Sequence, residues 1–172
     1  MAASQEARRV KIRRGYKGKN KVINNFSVIS VNINGVCSKL ASLEYVVKTF
    51  SPSVFCLQET KVQKPGKIKF EGAQNYVIYE LTRKNKTGGG LAIGVKKDLE
   101  PGWAGEGDND TEVLVVQLTV GDMKLRVLCG YGPQETDSPE RKALFWSRVH
   151  VEVNIAEEGG AHIVPCATHP QN

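Results

Sequence analysis

At 172 residues with 40% hydrophobic content, the chain is long enough to bury a real core and is most simply one domain. No apolar run approaches the roughly 20 residues that span a bilayer, and the N-terminus lacks the apolar centre of a secretory signal. Membrane-spanning and secreted classes are set aside, and nuclear or cytosolic residence is expected. The formal charge of +6 is carried by one end: residues 1–21 hold Arg8, Arg9, Lys11, Arg13, Arg14, Lys17, Lys19 and Lys21 against Glu6, a net of +7, which leaves −1 for everything after them.

Residues 1–24 are expected to form a disordered basic arm. Its simplest role is contact with nucleic-acid phosphates or nuclear import, although its Arg-rich, acid-poor make-up also fits a mitochondrial targeting segment or a tail that only aids solubility. A folded domain is expected over residues 25–165 and a flexible tail over 166–172. Cys37, Cys56, Cys129 and Cys166 match no zinc spacing, and they read as ordinary buried thiols.

In chain order, an apolar strand ends in Ser30-Val31-Asn32-Ile33-Asn34-Gly35. A helical stretch follows, with Leu40, Leu43, Val47 and Phe50 spaced 3, 4 and 3 and a stop at Pro52. A second apolar strand ends in Phe55-Cys56-Leu57-Gln58-Glu59-Thr60-Lys61. Strand, helix, strand is a crossover unit, which brings both strand ends to the same edge of a sheet. Asn32, Asn34 and Glu59 are therefore expected to converge, with both amides on one face of the first strand by the period-two alternation. One carboxylate and two amides suit a hard divalent cation and a phosphate. The same residues also read as a turn and a solvated strand end.

Beyond residue 75 the pattern is mostly strand. Tyr76 to Leu81 and Gly89 to Lys97 flank a charged, glycine-ended turn, which suits a hairpin. Gly88 to Gly90 lack the Gly-Lys-Ser/Thr ending of a phosphate loop and open no helix. Trp103 to Asp110 reads as a polar, Gly-rich surface loop. Val113 to Val120 and Lys124 to Gly130, joined by Gly121-Asp122, predict a second hairpin. Ser138-Pro139-Glu140 opens a helix with a cap, an N1 proline and an early acid, and Gly159-Gly160 closes it; Leu144, Phe145, Arg148, Val149 and Ala156 outline its amphipathic run. A short strand over 161–164 comes last. His150 and His162 are read as surface and strand residues, and His169 as part of the tail.

Four segments in this order resemble the N-terminal half of the endonuclease/exonuclease/phosphatase superfamily, which includes exonuclease III, the apurinic/apyrimidinic endonucleases, deoxyribonuclease I and the endonuclease domains of non-LTR retrotransposons. They are Asn32 with Asn34, then Gln58-Glu59-Thr60, then the glycine-led strand Gly88 to Val95, and last Tyr131-Gly132-Pro133. The match covers roughly residues 25 to 164. Gly130-Tyr131-Gly132-Pro133-Gln134 is phrased most like the retroelement endonucleases. The resemblance implies an α/β fold, a four-layer α-β-β-α sandwich of the deoxyribonuclease I-like type truncated at the C-terminus. It also implies an Mg2+- or Mn2+-dependent phosphodiesterase acting on nucleic acid, DNA ahead of RNA, with no membrane partner.

On the same resemblance, Glu59 would bind the catalytic metal, Asn32 would position the metal site and the attacked phosphate, and Tyr131 would place its phenol against that phosphate. Asn34 would face the metal where many members carry Asp, and without that charge it weakens a second metal contact. The family's Gly-Asp segment, with an Asn two residues after the Asp, is replaced here by Pro165-Cys166-Ala167-Thr168-His169-Pro170, and the later Ser-Asp-His segment has no counterpart. A weak metal site in a catalytically incomplete fragment is the resulting expectation. The alternative is a non-catalytic nucleic-acid-binding relic or adaptor that works through the basic arm.

Overall fold

The computed structural model describes residues 8–12, 26–83, 88–108 and 111–168. Strand β1 (Arg8–Ile12) precedes β2 (Phe26–Asn32), helix α1 (Leu40–Phe50) and β3 (Val54–Gln58). Next come β4 (Tyr76–Leu81), β5 (Leu91–Lys96), β6 (Pro101–Asp108), β7 (Val113–Val120) and β8 (Met123–Tyr131). Helix α2 (Pro139–Glu158) and β9 (His162–Thr168) complete the order. Two mixed sheets result, one ordered β1-β2-β3-β5-β4 and the other β6-β7-β8-β9.

Helix α1 joins β2 to β3 as the expected crossover, and the two strands pair in parallel with Asn32 opposite Gln58. Leu43 and Val47 bury the inner face of α1 against Phe55, Leu57, Ile33 and Ala92 on the outside of the first sheet. Phe50, expected on that face, is 49% exposed. The helix ends because Ser51 takes a left-handed φ of 41° and returns its N–H to Val47 O, after which Pro52 supplies no donor.

Alternation along the strands decides the core between the sheets. Val28, Val54, Cys56, Leu91, Ile93 and Val95 of one sheet meet Leu114, Val116, Leu118, Leu125, Val127 and Cys129 of the other. On the far side, Phe145, Val149 and Ala156 of α2 are the inner residues, and Phe145 packs with Val113, Val115 and Leu128. Four layers follow, as the resemblance implied. Leu144, in the same amphipathic run, is 50% exposed. The polar part of the α2 interface is a buried charge cluster: Glu152 takes Arg126 Nη2 on one oxygen and Arg148 Nη2 at 2.7 Å on the other. Ser138 caps the helix by accepting from Arg141 N.

Three expectations need correction. Residues 8–12, placed in a disordered arm, pair antiparallel to β2 as an edge strand, Arg8 opposite Ser30 through Ile12 opposite Phe26. Trp103 to Asp110, read as a loop, is strand β6 as far as Asp108. It is an edge strand with two register shifts against β7, a place where glycine-rich backbone is tolerated. The last strand runs to Thr168, beyond the expected 161–164 and into the segment assigned to a tail. Pro165 does not end it, because β9 lies at a sheet edge where a missing N–H can face away from the ladder. The turn over 84–87 and His169 lie outside the described residues, as does most of the basic arm. Among the described residues no helix is long and apolar enough to cross a membrane.

Candidate metal and phosphate site

The site forms where β2 and β3 stop. Past its last ladder pair, the chain after β3 keeps pairing on both sides. Gly35 N donates to Glu59 O at 2.8 Å and Val36 N to Thr60 O at 3.0 Å, while Thr60 N donates to Gly90 O at 3.0 Å and Lys61 N to Gly89 O at 2.8 Å. Held from two directions, Glu59 and Lys61 adopt left-handed φ of 53° and 54°. Asn34 (45°) and Glu112 (48°) share this conformation. Strain of this kind in residues with a side chain persists only where neighbours enforce it, and it concentrates at functional sites.

Glu59 is the hub. Its Oε1 accepts from Asn32 Nδ2 at 2.9 Å and from the Tyr131 hydroxyl, which reaches across from the second sheet. Its Oε2 has Lys61 Nζ at 3.8 Å. Partial burial pushes its carboxyl up. The hydrogen bonds from Tyr131 and Asn32, with the charges of Lys61 and Lys39, outweigh that and hold it below the usual carboxylate value. Burial, and next the bond to Glu59, push the Tyr131 phenol well above its ordinary value, so it stays a proton donor at neutral pH.

Asn32 and Glu59 converge as the crossover predicted, and Tyr131, placed at the site by the resemblance alone, reaches Glu59 too. Asn34 arrives by a different route from the one expected. The strand ends at Asn32, so the pleat does not carry Asn34. A turn does, with Asn34 N donating to Asn32 Oδ1 at 3.1 Å and Asn34 Oδ1 accepting from Lys61 Nζ.

Beneath this rim lies a second group that the sequence pattern did not single out. Glu112, just before β7, accepts from Gly90 N at 3.1 Å, and its own carbonyl accepts from Tyr131 N at 3.1 Å. Arg83 Nε stands 3.2 Å from Glu112 Oε1 as a charge contact without hydrogen-bond alignment. Glycines are required beside it. A Cβ on Gly89 would fall 2.2 Å from Glu112 Oε1, and one on Gly90 2.7 Å from Thr60 Oγ1. Gln58, fully buried, donates to Ser30 Oγ and to Cys166 O, both at 3.0 Å, and so ties the two sheets together under Glu59. An acid opening an otherwise apolar strand was the one signal that could have drawn attention to Glu112.

Among the described residues, no three His, Cys, Asp or Glu side chains gather to hold a metal. Cys56, Cys129 and Cys166 are buried as expected, whereas Cys37, expected to be buried with them, is exposed. The donor set at Glu59 nevertheless fits Mg2+ or Mn2+, ions that take oxygen ligands and need only one or two carboxylates beside water and substrate phosphate. Glu59 Oε2 and Asn34 Oδ1 are hard oxygens already turned to one cationic centre, the Lys61 ammonium.

This arrangement of two mixed sheets between outer helices is the deoxyribonuclease I-like fold, shared by several solved structures. TDP2 from Caenorhabditis elegans superposes with a TM-score of 0.63 at 19% identity, over 80% of this chain and 45% of that one. An AP endonuclease from Archaeoglobus fulgidus gives 0.58 at 21%, over 79% and 54%. The 3′ phosphatase NExo from Neisseria, bound to a product DNA hairpin, gives 0.57 at 19%, again over 79% and 54%. The chain thus spans about half the length of these solved structures. No family model matches the sequence, and no curated protein does.

Proposed function

We propose that this chain acts on phosphodiesters of nucleic acid, DNA in preference to RNA, through an Mg2+ or Mn2+ ion held by Glu59 with help from Asn34. The observation that carries the reading is the division of labour on Glu59. One carboxylate oxygen is fixed by the neutral donors of Asn32 and Tyr131, and the other is left to a cation. The bound ion would supply Lewis-acid activation of the phosphate. Asn32 keeps the carboxylate in one rotamer. Tyr131, protonated at neutral pH, offers its O–H toward charge developing on a phosphate oxygen once substrate draws it from Glu59. The DNA hairpin product in the NExo structure supports the substrate class, and the wording of Gly130 to Gln134 supports a retroelement-type endonuclease.

The described site offers one carboxylate and no imidazole in its hydrogen-bond network, so the chain alone is expected to bind metal weakly and to cleave slowly. Absent general acid–base help typically lowers a rate by about 100- to 10,000-fold. Nicking of supercoiled plasmid by the purified chain, with Mg2+ or with EDTA, tests the proposal. Slow nicking that needs the metal is expected to vanish in Glu59→Gln and to fall about 100- to 1,000-fold in Tyr131→Phe, the usual effect of losing one transition-state donor. Nicking that persists in EDTA or in Glu59→Gln overturns the reading. Binding of DNA with no metal-dependent nicking favours the adaptor role instead.

A further inference from the structure

Lys61 belongs to no step above, yet it occupies the centre of the site. Its Nζ donates to Asn34 Oδ1 and stands 3.8 Å from Glu59 Oε2, the two oxygens assigned to the ion. The placement is built in at the main chain. Lys61 N is fixed to Gly89 O, the residue is held at a φ of 54°, and its stem runs along Gly35, whose Cβ position would be 3.8 Å from Lys61 Cδ. The side chain is 43% exposed, so the ammonium has open solvent to move into. Lysine suits such a place, being a compact, strongly hydrated point charge on a flexible four-carbon stem.

Charge balance shows what this means. With Asn at position 34, the Asn34–Glu59 pair carries one formal negative charge, and a single ammonium neutralises it. A divalent ion entering the same seat would meet the ammonium at a few ångströms, and the neighbouring carboxylate of Glu112 is already engaged by Gly90 N and Arg83. We propose that Lys61 is the resident cation of this site and the direct competitor of the divalent metal: it fills the seat in the free protein and has to swing out before a metal can enter. The weak metal affinity expected here then has two separable causes, one missing charge at position 34 and one present charge at position 61.

The inference rests on the proposed role of Glu59 and is tested apart from catalysis, by Mn2+ binding to the full chain without nucleic acid, followed by the EPR signal of the free hydrated ion. Lys61→Met keeps the apolar stem and removes the charge. It is expected to tighten Mn2+ binding about tenfold, the scale of one unit charge at this separation. Lys61→Gln is expected to tighten it too, and Lys61→Arg to leave it weak. Glu59→Gln should lose binding both in the wild-type chain and when combined with Lys61→Met.

A second measurement reads the ammonium itself. Acetylation of Lys61 by a soluble acylating reagent, quantified by peptide mass spectrometry, should rise when saturating Mg2+ expels it from between Asn34 and Glu59. Unchanged or weaker Mn2+ affinity in both neutral variants, with Glu59→Gln still abolishing binding, overturns the competition alone. Acetylation indifferent to Mg2+ also overturns it. Mn2+ affinity unaffected by Glu59→Gln removes the metal role of Glu59, and this inference with it.

Discussion

Glu59 and Glu112 sit at the same end of the molecule, one beyond a strand of the first sheet and one before a strand of the second, both at left-handed φ. Their chemistry differs. The Glu59 side chain is 18% exposed and that of Glu112 4%. Burial pushes the Glu112 carboxyl up, and the Gly90 N–H and the Arg83 charge do not reverse it. At Glu59 the donors of Tyr131 and Asn32 do reverse the effect of burial. The contrast shows that an ionic partner does not by itself keep a buried carboxyl below its ordinary value. Glu59 is held low because neutral donors fix one oxygen and the Lys61 ammonium faces the other, whereas Glu112 holds Gly90 and, through its backbone, Tyr131.

That division can be broken most sharply by truncation. Glu112→Ala leaves the Arg83 guanidinium and the Gly90 N–H without their partner, and a loss of about 3 to 5 kcal/mol in urea unfolding is expected. Glu59→Gln, by contrast, should lower stability by less than about 1 kcal/mol while removing metal binding. Equal losses would erase the distinction between a structural and a chemical carboxylate.

A smaller effect is expected from the backbone that joins them. Gly90→Ala, at a φ of +85° with its Cβ 2.7 Å from Thr60 Oγ1, should destabilise by about 1 to 3 kcal/mol and weaken Mn2+ binding through Glu59. Gly88→Ala, with nothing within 4 Å, isolates the φ penalty alone and should leave metal binding as it was.

The smallest expected effect is on pH dependence. The folded-state pKa of Glu112 is raised above the ordinary 4.5, so its contribution to stability is complete below that value and is lost as pH rises through the folded-state pKa. Glu112→Gln, which cannot ionise, should therefore gain on the wild type as pH is raised from about 4, seen as converging or crossing melting temperatures. Parallel melting curves across that range would show that Glu112 ionises freely.

How much of this was legible in the sequence follows from the range of the interactions. The β2-α1-β3 unit could be read because its signals are local: apolar spacing in α1, alternation in β2, polar residues where each strand stops. Convergence of Asn32 and Glu59 followed from the crossover rule, and Tyr131 from its place in a four-segment resemblance. Strand β6 was missed because its pairing comes from β7 and not from its own glycine-rich composition. The extension of β9 was missed because Pro165 forbids a central strand but not an edge. Glu112 and Arg83 act through partners 22 to 29 residues away, and Gln58, marked by the resemblance, ties to Cys166 across 108. No local pattern marks such pairings.

The main-chain clasp on residues 59 to 61 bears on how such a site changes over generations. Four backbone hydrogen bonds, none involving a side chain, set the direction in which positions 59 and 61 project. These bonds do not depend on which side chains stand at 59 and 61, although the left-handed φ there disfavours β-branched residues. A lineage can exchange the residue at 61, or the one facing it at 34, and alter the charge held there without breaking these four bonds. The same scaffold can in this way be retuned by one or two codons.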